Sequence, residues 1–339
     1  LILAAFTLSA AAADWANWRG PNHNGSTVAA GLPGKFSKTE NIAWKVAMPG
    51  PSAATPIILG DKVFVSSTDP KAKELLALCL DRRTGKEIWR QVVGEGYQLD
   101  NRSNYASPSP ATDGEVVTFF YGNGDLATFD LNGKKLWATK IQDEENGFAF
   151  QWTFSTSPLL HNDVLYLQVL QRNTGVRGHG KANGNESYLL ALNPKTGKEL
   201  WKHNRPSNAK AESLEAFSTP MPFTHNGREE LLIVGGDCLT GHNPETGKEL
   251  WRWGTWNPSR IGHWRLVPSP AAGGGVILAC APKGSPVYAV KAGAKGEGEL
   301  AWKSAGRTDD ISSDVCTPLF YQGKFYVMYG EGRDKTLSC

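Results

Sequence analysis

Asn104 and Tyr105, Trp152, Glu215 and Phe217, Trp264 and Arg265, and Asp314 stand at equivalent points of successive stretches of this chain. Indole and phenol rings cover the flat or apolar faces of a ligand. Asn, Glu, Arg and Asp orient it by hydrogen bonds and charge. The mixture suits a site for a small polar ligand or a peptide, and it equally suits packing and rim salt bridges. Bond-breaking chemistry has no such support. No G-x-S-x-G, H-E-x-x-H or Walker A pattern occurs, so no catalytic residue is assigned. Thr84-Gly85-Lys86 and its copies are turn chemistry, because no helix follows them to receive a phosphate. No metal ligand is assigned either. Cys79, Cys238, Cys280, Cys316 and Cys339 lie far apart and read mostly as small buried hydrophobes. His179 is lone and flanked by glycines, which reads as solvent-exposed, and Asp309-Asp310 reads as a solvated loop.

The elements that must position these residues are repeated hairpins. Leu189 to Trp201 (LLALNPKTGKELW) is an apolar strand, a tight turn with Gly197 available for positive φ, and a return strand bearing a Trp. Copies run from Leu75 to Trp89, Leu126 to Trp137 and Cys238 to Trp251, and a degraded copy ends at Trp302. Before each comes a small residue followed by Pro, a short strand, a polar turn and a β-branched or aromatic strand. Each repeat is therefore four short strands. Trp44, Trp89, Trp137, Trp201, Trp251 and Trp302 are spaced 45 to 64 residues apart. This period and strand count predict an all-β fold, a β-propeller of four-stranded antiparallel blades, five to six of them in this segment. The repeated Trp is expected to fill the gap between blades.

In an up-and-down blade successive turns alternate between the two faces of the disc. The Thr-Gly turns share one face with the short first turns. The blade-to-blade connections share the other face with the second-to-third-strand loops. Gln91 to Tyr105, Ile141 to Phe154, Gln171 to Ser187, Asn204 to Phe217, Gly254 to Arg265 and Ala305 to Asp314 are the long loops, and they gather on that second face. Long loops on one side of a rigid scaffold are the usual place for binding. The residues named at the outset precede the innermost strands and are expected to ring the mouth of the central channel.

Composition agrees with a soluble globular chain: 20% charged, 40% hydrophobic and a net charge of only +3, with no basic stripe for nucleic acid. Residues 1–13 (LILAAFTLSAAAA) read as part of a signal peptide with an A-x-A cleavage site. They are too short to span a membrane, so the protein is expected to be exported, periplasmic or secreted, and monomeric. Residues 14–40 read as an irregular segment across the surface, pinned by Trp15 and Trp18. Residues 41–339 read as the propeller. Asn41 to Ala47 resembles the Trp-bearing strand of a repeat, and the last repeat stops at Cys339 inside its hairpin. Either Asn41 to Ala47 supplies the missing fourth strand and closes a six-bladed ring, or the chain is truncated at the C-terminus and more blades follow, which is the expectation.

The unit A-L-[DN]-x-x-T-G-K-E-x-W after an S-x-P strand closely resembles the pyrroloquinoline-quinone-like (PQQ-like) propeller repeat. The match is clear at Leu76 to Trp89, Leu190 to Trp201 and Leu239 to Trp251, and weaker at Leu126 to Trp137 and Val287 to Trp302. The resemblance implies seven or eight blades in the intact protein. The opening D-W-x-x-W-R-G-P at Asp14 to Pro21 is similar to exported, non-enzymatic members. Quinoprotein dehydrogenases of this family carry adjacent cysteines and calcium-binding Glu, Asn and Asp; this chain has no Cys-Cys pair, and the acidic set has no matching positions. The expectation is a non-catalytic binding or scaffold module with no cofactor, whose partner is a protein, peptide or glycan. The alternatives are a quinone-dependent alcohol or sugar dehydrogenase, holding PQQ with calcium, and an outer-membrane protein assembly scaffold.

Overall fold

The structure is a computed structural model that describes residues 14–142, 146–254, 256–306, 311–331 and 334–339. The leader-like residues 1–13 and Asp309-Asp310 lie outside the described residues. The chain forms a β-propeller. Blade 1 contains β1 (Ile57–Leu59), β2 (Lys62–Asp69), β3 (Glu74–Asp81) and β4 (Glu87–Glu95). Blade 2 contains β5 (Ala111–Thr112), β6 (Val116–Phe120), β7 (Asp125–Asp130) and β8 (Lys135–Lys140). Blade 3 contains β9 (Leu159–His161), β10 (Val164–Val169), β11 (Tyr188–Leu192) and β12 (Glu199–Asn204). Blade 4 contains β13 (Met221–His225), β14 (Arg228–Gly235), β15 (Cys238–His242) and β16 (Glu249–Trp253). In blade 5, β17 (Ala271–Gly273), β18 (Val276–Cys280) and β19 (Val287–Lys291) are followed by β20 (Gly296–Glu297) and β21 (Leu300–Lys303). Then come β22 (Leu319–Tyr321), β23 (Lys324–Glu331) and β24 (Asp334–Ser338), a three-stranded sheet.

The middle strands β2 and β3 are buried along nearly their whole length, because blade 2 covers one face and the segment bearing Trp44 and Met48 packs on the other. The sequence of β3 accordingly reads as a continuous apolar run, while β2 also buries Ser66, Ser67 and Thr68. The outer strands β8 and β12 are largely exposed and carry charged residues. In all five complete blades a bulge interrupts the pairing of the last two strands just after the partner of the repeat Trp, as at Cys79↔Trp89 and Ala191↔Trp201.

The rings at these positions bridge blades. Nε1–H of Trp44, Trp89, Trp137 and Trp201 donates to the carbonyl of Arg82, Leu131, Pro194 and Pro244 respectively, each in the hairpin turn of the following blade. Trp251 departs from the pattern, since blade 5 has lost the Thr-Gly turn. Its indole donates to Glu230 at 2.5 Å, and β20 adds in parallel beside β16. Trp302 is 45% exposed. The expectation of a strand at Asn41 to Ala47 is corrected: the segment has no ladder partner among the described residues, and its Trp44 ring rests on Gly85.

Around the axis the blades are tied by hydroxyls. The backbone N–H of Thr55 donates to Ser109 Oγ, Ser109 N–H to Ser157 Oγ, Ser157 N–H to Thr219 Oγ1, Thr219 N–H to Ser269 Oγ, and Ser269 N–H to Thr317 Oγ1. Every member precedes a proline, which holds it extended. The small-residue–Pro signal is thus a chain of hydrogen bonds linking six successive blades.

The segment from Asp14 to Ser26 lies over the innermost strands. Trp15 pairs with Ile58 of β1, the carbonyl of Ala16 accepts from Thr112 of β5, and the Arg19 guanidinium donates to the carbonyl of Pro318. His23 meets His161 of β9 edge to face. The segment therefore runs along the innermost strands and fills the channel. Gly20, at φ 71°, packs so closely on the Trp15 ring that a Cβ would sit 2.8 Å from it.

Candidate functional site

With that end of the channel filled, the long-loop face holds the larger open space. A cavity of about 600 Å³ lies between blades 2 and 3, lined by residues of four loops, among them Gln98, Tyr105, Asn123, Gln142, Trp152 and Arg177. The expected loop at Gln91 begins only at Gly96, because β4 continues to Glu95.

Trp152 stands at the meeting point of the loops. Its Nε1–H donates to Glu212 Oε1 at 3.2 Å, and Glu212 lies in a 3₁₀ turn, Ala211–Leu214. The guanidinium groups of Arg102 and Arg177 come from two different loops and lie 5.7 and 5.4 Å from its ring centroid. Asp100 pins the Arg102 loop to the loop that carries Trp152: its carboxylate accepts from Arg102 N, Ser103 N, Thr153 N and Thr153 Oγ1. Burial raises the pKa of this carboxyl, but the backbone donors outweigh burial and hold it below the usual carboxylate range.

Glu215 is fully buried behind Trp152. One carboxylate oxygen accepts from Gln151 N at 3.1 Å, and the other pairs with Arg172 Nε. Arg172 also donates to Gln151 Oε1 at 2.7 Å. Burial pushes the Glu215 carboxyl up to about 7, against the opposing pull of Arg172. Its backbone is held by Leu266, which donates to the Glu215 carbonyl, and the adjacent Ala216 bridges Leu170 on one side and Leu266 on the other. Arg265 approaches Glu212 Oε1 at 3.8 Å. Tyr105 lines the cavity wall, and burial together with nearby Asp125 raises its phenol pKa.

Of the residues expected at the channel mouth, the structure joins Trp152, Glu215 and Arg265 in one polar network and places Tyr105 in the same cavity. Phe217 packs on Phe150 beneath it, with ring centroids 5.4 Å apart. Asn104 is buried and caps its own turn, accepting from Ala106 N at 2.9 Å. Trp264 packs against the apolar cluster of blades 4 and 5. Asp314 sits apart on a rim, accepting from Lys283 N at 3.0 Å. Sequence reasoning missed Arg102, Arg172, Arg177 and Glu212, which meet only through the fold. The density of Asn and Gln in the loops was a readable signal.

A second cavity, of about 380 Å³, opens beside Cys238. This thiol is no simple buried hydrophobe: its Sγ accepts from Arg205 Nη2 at 3.1 Å and Arg252 Nη1 at 3.2 Å. Arg205 is itself buried, bonded also to Thr240 Oγ1 and to the carbonyls of Gly235 and Cys238.

Among the described residues, the acidic side chains around the long-loop cavity are engaged by the protein itself: the carboxylates of Asp100, Glu212 and Glu215 accept from protein donors. Among the described residues no three His, Cys, Asp or Glu side chains converge as a metal site. Nor is any described helix long and apolar enough to cross a membrane.

The chain is similar in structure to BamB from Moraxella catarrhalis, at 16% identity and a TM-score of 0.53, over 84% of this chain and 69% of that one. It is similar to a europium-containing methanol dehydrogenase at 13% identity and a TM-score of 0.66, over 93% of this chain and 68% of that one. It is also similar to a quinohemoprotein alcohol dehydrogenase from Comamonas testosteroni, at 14% identity and a TM-score of 0.53, over 86% and 49%. At such identities these likenesses show the fold alone. No curated protein sequence matches the chain. The model of one family, described as outer membrane protein assembly factor BamB, matches residues 20–176 and 185–333. The chain therefore belongs to this PQQ-like repeat family.

Proposed function

We propose that this chain is an exported propeller that acts by binding rather than catalysis, holding a protein, peptide or glycan on its long-loop face. One observation carries the reading. The channel is filled from one side by Asp14 to Ser26, while on the other side four loops line a cavity of about 600 Å³ beside Trp152. Ion pairs and hydrogen bonds fix this wall in advance, which lowers the ordering cost of binding.

A photo-crosslinking residue at Gln98 tests it, with one at Thr196 on the opposite face as control. Adducts formed in bacterial envelopes at Gln98 and not at Thr196 support the reading. Adducts at Thr196 alone, or at neither position, overturn it.

The description of the matching family favours a second reading, a scaffold in outer-membrane protein assembly. Gentle purification from envelopes distinguishes it. Co-purification of a β-barrel assembly complex supports the scaffold, and a free monomer counts against it.

A further inference from the structure

We infer that the ligand of the long-loop cavity is a neutral oligosaccharide. The inference rests on the binding reading above and names the ligand class of that site. The lining is unusual in kind. Six side-chain amides, among them Gln98, Asn101 and Gln142, line the cavity beside Phe148, Phe150 and Phe154, and no described lining residue is aliphatic. A greasy ligand calls for Leu, Ile, Val or Met walls. A phosphate calls for Lys, several Arg or a helix N-terminus, and this wall has one Arg and neither of the others.

A sugar hydroxyl is both donor and acceptor, and so is a side-chain amide, whose planar fork spans two adjacent hydroxyls. Some of these amides are committed to the protein: Asn123 Nδ2 donates to Glu95 O and Asp125 Oδ2, and Gln151 Oε1 accepts from Arg172. Gln98 and Asn101 make no side-chain hydrogen bond to another described residue, and Gln142 spends only its oxygen, on Phe148 N–H. Their free groups are the ones a ligand meets. The apolar C–H face of a pyranose needs an aromatic wall with a polar edge, and Tyr105 supplies it in the same cavity, beside the Trp152 indole that Arg102 and Arg177 flank. Asp100 is saturated by four donors, so among the described residues the wall offers no free carboxylate for a cation.

The test uses the purified chain on two arrays. One carries neutral oligosaccharides (cellotetraose, xylotetraose, maltotetraose and chitotetraose) and the other carries peptides. The wild type is compared with Trp152→Ala and with the double variant Gln98→Ala/Asn101→Ala, whose changes lie on the cavity wall and remove no bond that holds the fold. The expected result is binding to at least one oligosaccharide that weakens about tenfold or more in both variants. Peptide binding that weakens in both variants, with no oligosaccharide bound, overturns the saccharide assignment and leaves the binding face standing. Oligosaccharide binding unchanged by both variants overturns the assignment to this cavity. Silence on both arrays overturns the saccharide assignment, and the crosslinking at Gln98 then decides the binding reading on its own.

Discussion

The indole of Trp137 in blade 2 rests on Gly197 in the hairpin turn of blade 3, and its Nε1–H donates to the carbonyl of Pro194 at 2.7 Å. Gly197 has a φ of 72°, and a Cβ there would lie 2.7 Å from the ring. The same relation joins Trp44 to Gly85, Trp89 to Gly133 and Trp201 to Gly247. One short motif therefore supplies both halves of each inter-blade contact: the turn receives the ring of the blade before it, and the Trp reaches the turn of the blade after it.

Replacing Gly197 by Ala should destabilise the chain by about 2–4 kcal/mol, from backbone strain plus overpacking against the indole. Gly227, at φ 77° with nothing near its Cβ position, isolates the strain; Gly227→Ala should cost only about 1–2 kcal/mol. Urea unfolding of the two variants measures the difference. Equal losses would mean that ring contact contributes nothing.

Ser157 Oγ accepts the backbone N–H of Ser109 in the buried centre of the disc. Ser157→Ala leaves that donor unpaired and should cost about 1–3 kcal/mol. Ser157→Thr keeps the acceptor and should cost less. If Thr proves as damaging as Ala in thermal unfolding, the linked hydroxyls are not what holds adjacent blades together.

Glu215 makes stability depend on pH. Its carboxyl titrates at about 7 in the fold against an ordinary value of 4.5. The folded chain holds this proton more tightly than the unfolded chain. Its contribution to stability is therefore full below 4.5 and is lost as pH rises through about 7. The melting temperature should fall across that window, with a loss on the order of 1–3 kcal/mol. Glu215→Gln should flatten this part of the profile, and a profile just as steep in the variant would assign the effect to another group.

The fold was legible in the sequence for a physical reason. Turn chemistry at Asn193 to Gly197, the Trp at fixed distance and the Pro-started strands are local signals, and a propeller repeats local signals. Two features were written in the sequence yet not readable as contacts. The Ser and Thr before each Pro bond across blades, and Asp14 to Ser26 reaches inner strands as distant as Phe320. The site was legible only as far as the long-loop face and Trp152. Arg102, Arg177 and Glu212 come from separate loops, and only the closed arrangement of blades brings them to one indole. Trp264 and Asp314 occupy equivalent positions in the repeat, but the Trp264 ring packs into an apolar cluster and Asp314 pairs with the Lys283 backbone.

The central claim is that ligand is held on the long-loop face beside Trp152. Affinity for the array ligand, measured by titration calorimetry, tests it most directly in three proteins: wild type, Trp152→Ala, and Thr196→Arg on the opposite face. The account predicts about tenfold or greater weakening in Trp152→Ala and wild-type affinity in Thr196→Arg. Wild-type affinity in Trp152→Ala, or a loss confined to Thr196→Arg, would contradict it.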